Sequence, residues 1–521
     1  MAGTYEMETS KVDDNGSPSN GELNIEQLSI ESLSRRKDSQ IERDNRELER
    51  LGKIPVLKRN FAFMSMVGFT CTVMNTWEGE LLLFTQSFSN GGAPTSGGQY
   101  HWVYMLAPKS SRKFMSYLIG WLTVIGWQAA VASLGFLSAQ LIQGLAVMGN
   151  PNYDPLAWQR TLLLWASIAF AVCVNTVIST ALPKVEGLVL IIHVLGFFGI
   201  LVPLVYLSPK NSTEEVFTVF LNEGGWQTQG LSFMLGMIGA VFNFLGADGA
   251  VHMSEEIQNA AVIVPRAMVF TVILNGALGF GMLIAVLFCI VDIDAALESP
   301  TGFPFMAIFE QGVRSERGAQ TMASLLVILM LCGTVSVLAS ASRMTWSFAR
   351  DRGLPGWSYL SRVNSKTSIP VLSIALTTVI SCLLALINIG SSVAFNDIVS
   401  LTINGMYTSY LIGNSLLLWR RLTGGIRSYN RENTGLTNVS HEQLSWGPTR
   451  IPEPLGTIVN AFGCAYLLVM VFFSFWPTAI NPTAETMNMS SVMVGGTIIL
   501  SLIYYAVWAR KVYEGPVIEI S

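Results

Sequence analysis

The stretch Phe61–Phe84, FAFMSMVGFTCTVMNTWEGELLLF, is long and apolar enough to enter a bilayer, yet polar residues interrupt it near its middle. A helix needs about 20 mostly apolar residues to cross the hydrocarbon core. An intramembrane carboxylate costs about 2.5–3.5 kcal/mol on insertion scales, so such groups normally face a cavity or a partner. The sequence therefore predicts a broken helix, and the interrupting residues are Asn75, Thr76, Glu78, Gly79 and Glu80.

A second stretch, Leu231–Glu256, repeats the pattern: LSFMLGMIGAVFNFLGADGAVHMSEE is interrupted by Asn243, Gly246, Asp248 and Gly249. Paired interruptions in corresponding spans are typical of transporters built from inverted repeats, whose unwound backbone contacts a substrate near the membrane midplane. Glycine permits the backbone angles, and helix ends favour a carboxylate on one side and a cation on the other. The pattern favours a zwitterionic substrate. The alternative is that the glycines only permit close helix packing.

The overall composition is that of a membrane protein. Of 521 residues, 51% are hydrophobic and 13% are charged, against about 25% charged in a soluble domain. The net charge of −4 gives no electrostatic footprint for nucleic acid. The six cysteines show no metal-ligand spacing, and no Walker, GxSxG, HExxH, haem or flavin signature occurs. We therefore expect no enzyme, no cofactor, no metal site and no nucleic-acid partner.

Eleven apolar segments are long enough to span a membrane. They are Phe61–Phe88, Phe114–Met148, Thr161–Leu182, Gly187–Leu207, Leu231–Met253, Ala267–Val291, Met322–Met344, Pro370–Ile389, Asp397–Trp419, Ile458–Trp476 and Val492–Trp508. The sequence thus predicts an all-α polytopic membrane protein with a permease domain over 59–512, a disordered tail over 1–58 and a short tail over 513–521. The first tail lacks a hydrophobic signal core, so we expect the first span to target the membrane.

Lys and Arg residues set the orientation, because they are retained on the cytoplasmic side. Both tails and the Lys109–Lys113 loop are predicted to be cytoplasmic. The acidic loop Ser208–Gly230 is predicted to lie outside, and its Asn211-Ser-Thr is a glycosylation acceptor. One conflict remains, since the first span starts inside and Lys109–Lys113 also belong inside. A crossing is therefore missing within Phe84–Trp102, FTQSFSNGGAPTSGGQYHW.

Two groups of titratable residues accompany the breaks. His193 lies seven residues after Glu186 on one helix face. This spacing suits a proton relay, although a structural hydrogen bond is the simpler interpretation. His252 adjoins Glu255 and Glu256 near the cytoplasmic end of the second break, where gating contacts or proton coupling are favoured over metal binding.

Four motifs resemble those of one known family, the amino acid–polyamine–organocation permeases, and within it the fungal amino acid/choline branch. They are Met74–Gly79 (MNTWEG), Pro94–Trp102 (PTSGGQYHW), Gly246–Met268 (GADGAVHMSEEIQNAAVIVPRAM) and Ala341–Pro355 (ASRMTWSFARDRGLP). The resemblance extends from about Lys58 to Arg510.

The resemblance implies a LeuT-type fold of two inverted five-helix repeats plus two further helices, usually twelve spans, and proton-driven uptake. The repeats are then expected over about 61–207 and 231–420, with the extra helices over about 456–510. Matched by motif, the substrate-binding residues are expected to be Asn75, Thr76, Trp77, Glu78, Gly79, Asn243, Phe244, Gly246, Ala247 and Asp248.

The chain departs from the family where Gly91–Gly92 runs straight into Ala93–Pro94. Family members have a complete second span here, so about 30 residues are absent, one span with its turn. A skipped exon or a faulty gene model explains such a loss better than a natural eleven-span design. We expect the first repeat to be incomplete and this form to be impaired.

Three functions are weighed. The leading one is a plasma-membrane symporter, with both termini cytoplasmic, for a small amino acid or a GABA-like zwitterion. Choline is the runner-up, because acidic residues near both breaks suit any cationic nitrogen and Trp77 can cap a quaternary ammonium. A non-transporting sensor or an inactive splice form is the third. A channel lacks the selectivity-filter repeat it would need. The oligomeric state stays open.

Overall fold

The computed structural model describes most of the chain from residue 56 onward. The described ranges are 56–78, 99–150, 152–218, 224–390, 394–428, 444–447, 450–477, 479–483 and 487–517, with the single residues Glu42, Asn45, Lys53, Phe220 and Asn222. The predicted missing crossing, with Gly79, Glu80 and the Gly92–Ala93 junction, lies outside the described residues. So does nearly all of the predicted disordered tail.

The described residues are almost entirely helical, which confirms the predicted all-α class. The helices of the first half are α1 (Phe63–Met74), α2 (Gln99–Leu106), α3 (Arg112–Gly149), α4 (Ala157–Thr176), α5 (Leu182–Leu207) and α6 (Thr213–Thr218). Next come α7 (Gln229–Asn243), α8 (Gly249–His252), α9 (Ala260–Cys289), α10 (Ile293–Leu297), α11 (Pro304–Val313) and α12 (Glu316–Arg350). The last are α13 (Trp357–Leu360), α14 (Val371–Gly390), α15 (Ala394–Leu422), α16 (Leu455–Phe473), α17 (Ser490–Tyr504) and α18 (Arg510–Val512).

Each of the eleven predicted segments contains a helix. Among the described residues, seven helical segments are long and apolar enough to cross a membrane by length and composition. They are α3, α4, α5 with the turn before it, α9, α12, α16, and α17 with the helical residues after it. Two shorter helices, α7 and α14, are also apolar. The other two predicted segments hold α1, which has 12 residues, and α15, which carries Asp397, Arg420 and Arg421.

The core is a helix bundle in which α3 packs against α12 and α15, and α1 packs against α5, α9 and α12. Gly68 permits the close approach of α1 and α5. A Cβ at this position would lie 2.3 Å from the backbone oxygen of Glu186, a distance that real Cβ atoms do not show. This contact sets the distance between α1 and α5 at Gly68. The domain boundaries expected from the family remain a prediction.

One buried carboxylate ties both ends of the described chain to the end of α12. Asp351 Oδ1 accepts hydrogen bonds from Lys53 Nζ and from the backbone N–H of Val517, each at 3.0 Å. Its Oδ2 accepts one from the Tyr100 hydroxyl at 2.9 Å. Burial opposes the charge of Asp351, but Lys53 and Arg350 outweigh it and hold the pKa of the carboxyl below its ordinary value.

Candidate functional site

The two predicted breaks are present, and they meet. Helix α1 ends at Met74, and Asn75 adopts a left-handed conformation with φ 44°. Helix α7 ends at Asn243, and Gly246 takes a φ of 94° before α8 begins. The Thr76 hydroxyl donates to the backbone oxygen of Asn243 at 3.1 Å, which joins one break to the other.

Gly246 is required by this close approach as well as by its backbone angle. A Cβ at Gly246 would lie 2.6 Å from Val73 Cγ1 on the last turn of α1. Any side chain here would push α1 away from the second break. Gly246 is therefore favoured in this unwound segment for two reasons, its positive φ and the close approach of α1.

A cavity lined by buried residues lies where the breaks meet. The cavity has a volume of ≈ 30 Å³, enough for roughly two water molecules. Its lining comes from both breaks and from three uninterrupted helices, α3, α12 and α15. The lining residues are Val73, Met74, Asn75, Trp127, Ala130, Leu134, Leu137, Phe242, Asn243, Leu245, Gly246, Met330, Val337, Thr402 and Met406.

Two amide atoms on the lining residues have no hydrogen-bond partner among the described residues. They are Oδ1 of Asn75, an acceptor, and Nδ2 of Asn243, a donor, on side chains that are 5% and 1% exposed. A buried polar atom without a partner costs about 1–3 kcal/mol. Because α1 and α7 both end at the cavity, the carboxyl-terminal ends of their helix dipoles add partial negative charge there. The site can thus accept bonds from a cationic nitrogen and donate one to a carboxylate.

Asp248 does not line the cavity. Its buried carboxylate accepts hydrogen bonds from Gln99, from Trp127 Nε1 at 3.3 Å, from His252 Nε2 at 3.2 Å and from Tyr410. These donors come from α2, α3, α8 and α15, so the carboxylate joins four elements behind Gly246. Protein donors already occupy its oxygens. The expected contact of Asp248 with substrate stays a prediction.

Glu78 and Trp77 also turn away from the cavity, toward His193 on α5. His193 Nδ1 lies 2.7 Å from Glu78 Oε1 and accepts from Trp77 Nε1 at 3.2 Å. His193 Nε2 lies 3.1 Å from Asn275 Oδ1. Trp77 is fully buried, with its ring 5.6 Å from the His193 ring. The predicted cation–π cap by Trp77 would require this ring to leave its packing.

The predicted gating residues hold the segment after α8 against α12. Arg350 forms two hydrogen bonds with Glu255, one of them from Nη1 at 3.2 Å. Arg343 Nε donates to Glu256 at 2.9 Å. The backbone oxygen of Glu256 also accepts from the N–H of Phe61 at 3.1 Å. The segment between the second break and α9 is therefore fixed both to α12 and to the chain that leads into α1.

The remaining predicted residues are less central. Phe244 is partly buried, with its ring 3.5 Å from where a Cβ on Gly276 would lie, and Ala247 is packed at the edge of the core. Asn211 follows α5, and its side-chain amide donates to the Leu287 oxygen at 3.1 Å. Its glycosylation stays a prediction. Gly79 lies outside the described residues. Among the described residues, no group of three or more His, Cys, Asp or Glu could hold a metal ion.

Sequence reasoning missed the lining residues on the uninterrupted helices. Trp127, Met330, Val337, Thr402 and Met406 belong to α3, α12 and α15, which carry no break. A single apolar or hydroxyl side chain in a continuous helix gives no signal of its own. Only the packing of these helices around the breaks identifies them.

Comparison with known proteins found similar permeases and transporters. The family model described as amino acid permease matches residues 77–499. A choline transporter of Saccharomyces cerevisiae is 25% identical, over 96% of this chain and 92% of that protein. An amino-acid permease of Arabidopsis thaliana is 27% identical over 82% of each chain, and amino-acid permease 2 of Neurospora crassa is 23% identical over 96% and 93%. A manganese transporter mutant of Eremococcus coleocola has a TM-score of 0.44 at 11% identity, over 86% of this chain and 87% of that one.

The family model covers most of the chain, and it includes the second break, the three uninterrupted helices that line the cavity, and the ion pairs at the end of α12. These relatives are permeases and transporters, which agrees with a chain that carries several apolar helices long enough to cross a membrane. This chain belongs to the amino acid permease family.

Proposed function

We propose that this protein is a proton-coupled symporter that imports a small amino acid or a GABA-like zwitterion across the plasma membrane. The observation that carries the proposal is the cavity between the two breaks, on whose lining Asn75 Oδ1 and Asn243 Nδ2 have no partner within the described part of the chain. The ammonium group of the substrate would donate to Asn75, at the carbonyl ends of α1 and α7. Its carboxylate would accept from Asn243. The ion pairs of Glu255 and Glu256 with α12, together with His252, would form the cytoplasmic gate.

The test is uptake of labelled GABA into proteoliposomes by the complete form, with the predicted missing span present, and by two variants of that form. Asn75→Gly keeps the left-handed backbone and removes the amide, and Asn243→Ala removes the donor. A hydrogen bond to a charged group is worth about 1.5–3 kcal/mol, so each variant should raise KM roughly 10- to 150-fold. Asn152→Ala is the matched control, because Asn152 is exposed and far from the breaks in sequence. An unchanged KM in both variants would refute the assignment.

Choline is the second candidate substrate, and two observations favour it. Trp127 lines the cavity, where its ring can contact a quaternary ammonium. The Saccharomyces cerevisiae choline transporter is also among the relatives that align over nearly the whole chain. Choline has no carboxylate, so loss of Asn243 should impair uptake of GABA and spare uptake of choline. Competition of labelled GABA uptake by choline and by neutral amino acids decides between them, and failure of all of these compounds would reject both substrates.

A further inference from the structure

Basic side chains gather where the beginning of α3 meets the residues that follow α17, and none of the roles above uses them. Residues 108–117 and 505–517 hold five Lys and Arg against one acidic residue, Glu514. Lys113 Nζ donates a hydrogen bond to the backbone oxygen of Arg510 at 2.9 Å, which joins the two segments. Together these side chains form the basic cluster: Lys109, Arg112, Lys113, Arg510 and Lys511.

The basic cluster differs from the basic residues at the end of α12. There Arg343 and Arg350 are both paired with glutamates of the segment after α8. Within the described ranges, no Asp or Glu forms an ion pair with four members of the cluster, Lys109, Lys113, Arg510 and Lys511. Their positive charge is therefore available to an anion from outside the protein.

Helix stability does not explain the basic residues on α3. The helix dipole places partial positive charge at the first turn of a helix, where a basic side chain is unfavourable. The first turn of α3 nevertheless begins with Arg112 and Lys113 and carries no acidic residue. An anion bound beside these side chains would relieve the repulsion.

Aromatic side chains next to the cluster indicate the level of the membrane surface. Trp508 is 54% exposed, and the Tyr505 ring packs against the Phe114 ring with the centroids 5.4 Å apart. Trp and Tyr of spanning helices concentrate at the interface between hydrocarbon and headgroups. Both helical segments are long and apolar enough to cross a membrane, and the basic cluster lies at their ends. The cluster is thus at headgroup level.

The predicted orientation identifies the partner. The distribution of Lys and Arg predicts that this end of α3 is cytoplasmic. The cytoplasmic leaflet carries anionic lipids, which attract basic segments beside a membrane span, and clusters of about four to eight Lys and Arg in this position are typical of lipid-binding sites. The headgroup phosphates of these lipids lie in the same layer as the cluster and carry the opposite charge.

We propose that the basic cluster binds the headgroup of an anionic phospholipid in the cytoplasmic leaflet. The lipid phosphate accepts hydrogen bonds from Lys109 and Arg112 on one side and from Arg510 and Lys511 on the other. The lipid therefore joins the beginning of α3 to the end of the last spanning segment. This inference goes beyond the proposed transport and does not depend on the substrate.

The experiment measures lipid binding to the wild-type chain by native mass spectrometry, from micelles that contain either phosphatidylcholine or phosphatidylserine. The cluster variant neutralises three side chains and keeps the Lys113 hydrogen bond: Lys109→Gln, Arg510→Gln and Lys511→Gln. The control variant removes the same charge from exposed residues in the segments after α12 and α15: Arg362→Gln, Lys366→Gln and Arg427→Gln. Inorganic phosphate is added as a competitor in a separate series.

The wild-type chain should bind phosphatidylserine more tightly than phosphatidylcholine, and high salt should weaken this preference because exposed charges are screened. Each basic residue near an anionic surface contributes about fivefold in affinity, so the cluster variant should bind phosphatidylserine roughly 100-fold more weakly. The control variant should keep the wild-type affinity. Binding of phosphatidylcholine should be the same in all three proteins, which shows that the fold is retained.

Three results overturn the inference. Equal affinity of the wild-type chain for the two lipids would show that the headgroup charge is not recognised. An equal loss of phosphatidylserine binding in both variants would reduce the effect to net charge. Displacement of the lipid by inorganic phosphate would assign the cluster to a free anion.

Discussion

Replacing Gly333 by alanine should impair substrate binding through Asn75. The new Cβ would lie 2.3 Å from Asn75 Nδ2, against at least 3.4 Å in ordinary contact, so the amide must move by about 1.1 Å. Nδ2 also donates to the Thr72 oxygen, so this movement disturbs the turn that ends α1. Overpacking of this kind costs about 1–3 kcal/mol of stability.

The expected effect on transport is larger than the effect on folding. Displacement of the Asn75 amide removes its bond to a cationic substrate, so KM for labelled GABA should rise roughly 10- to 150-fold. Thermal unfolding in detergent measures the stability change on the same preparation. Gly199→Ala in α5 is the matched control, because no atom lies within 4 Å of the position that its new Cβ would take. Wild-type KM in Gly333→Ala would refute the placement of Asn75 at the substrate site.

Three further outcomes are expected. Arg343→Ala leaves Glu256 without its partner near the end of α12, and loss of one member of a buried pair costs about 3–5 kcal/mol. Thermal unfolding should show this as a large loss of stability, which Arg343→Lys should partly restore. Asp351 has a lowered pKa in the folded protein. The stability it contributes is therefore present above its unfolded pKa of about 3.9 and is lost as the pH falls through the folded value. Asp351→Asn should be less stable than the wild type at neutral pH and should lose less stability on acidification. Sequencing of the transcript across the Gly92–Ala93 junction should reveal messages with about 90 extra nucleotides that encode an apolar span, and a single uninterrupted junction in all messages would contradict the predicted exon loss.

The sequence predicted the elements of this fold because their signals are local. A long apolar run predicts a membrane helix, and Asn, Gly and acidic residues inside such a run predict a break. Both breaks are found where the polar residues predicted them, at Asn75 and around Gly246.

The partners of the buried polar groups could not be predicted, because they depend on contacts between distant segments. The seven-residue spacing placed Glu186 and His193 on one helix face and suggested that they act together. In the structure Glu186 contacts Thr72 and Ser336, and His193 contacts Glu78. Substrate binding by Asp248 stays a prediction from its place in the motif, whereas the donors from α2, α3 and α15 that surround its carboxylate together with His252 could not be predicted. No single-chain pattern shows which helix will supply a donor.

The attachment of Lys53 and Val517 to one oxygen of Asp351 has a practical consequence for handling the protein. Segments near the two ends of the chain share this carboxylate as a partner, although nearly the whole permease domain separates them in sequence. A tag or reporter that strains either terminal segment therefore acts on the contacts of Asp351. Shortening one segment changes the contacts that Asp351 makes with the other. Fluorophores placed near residues 53 and 517 would transfer energy efficiently while both contacts are in place, and their separation would report the loss of these contacts in a living membrane.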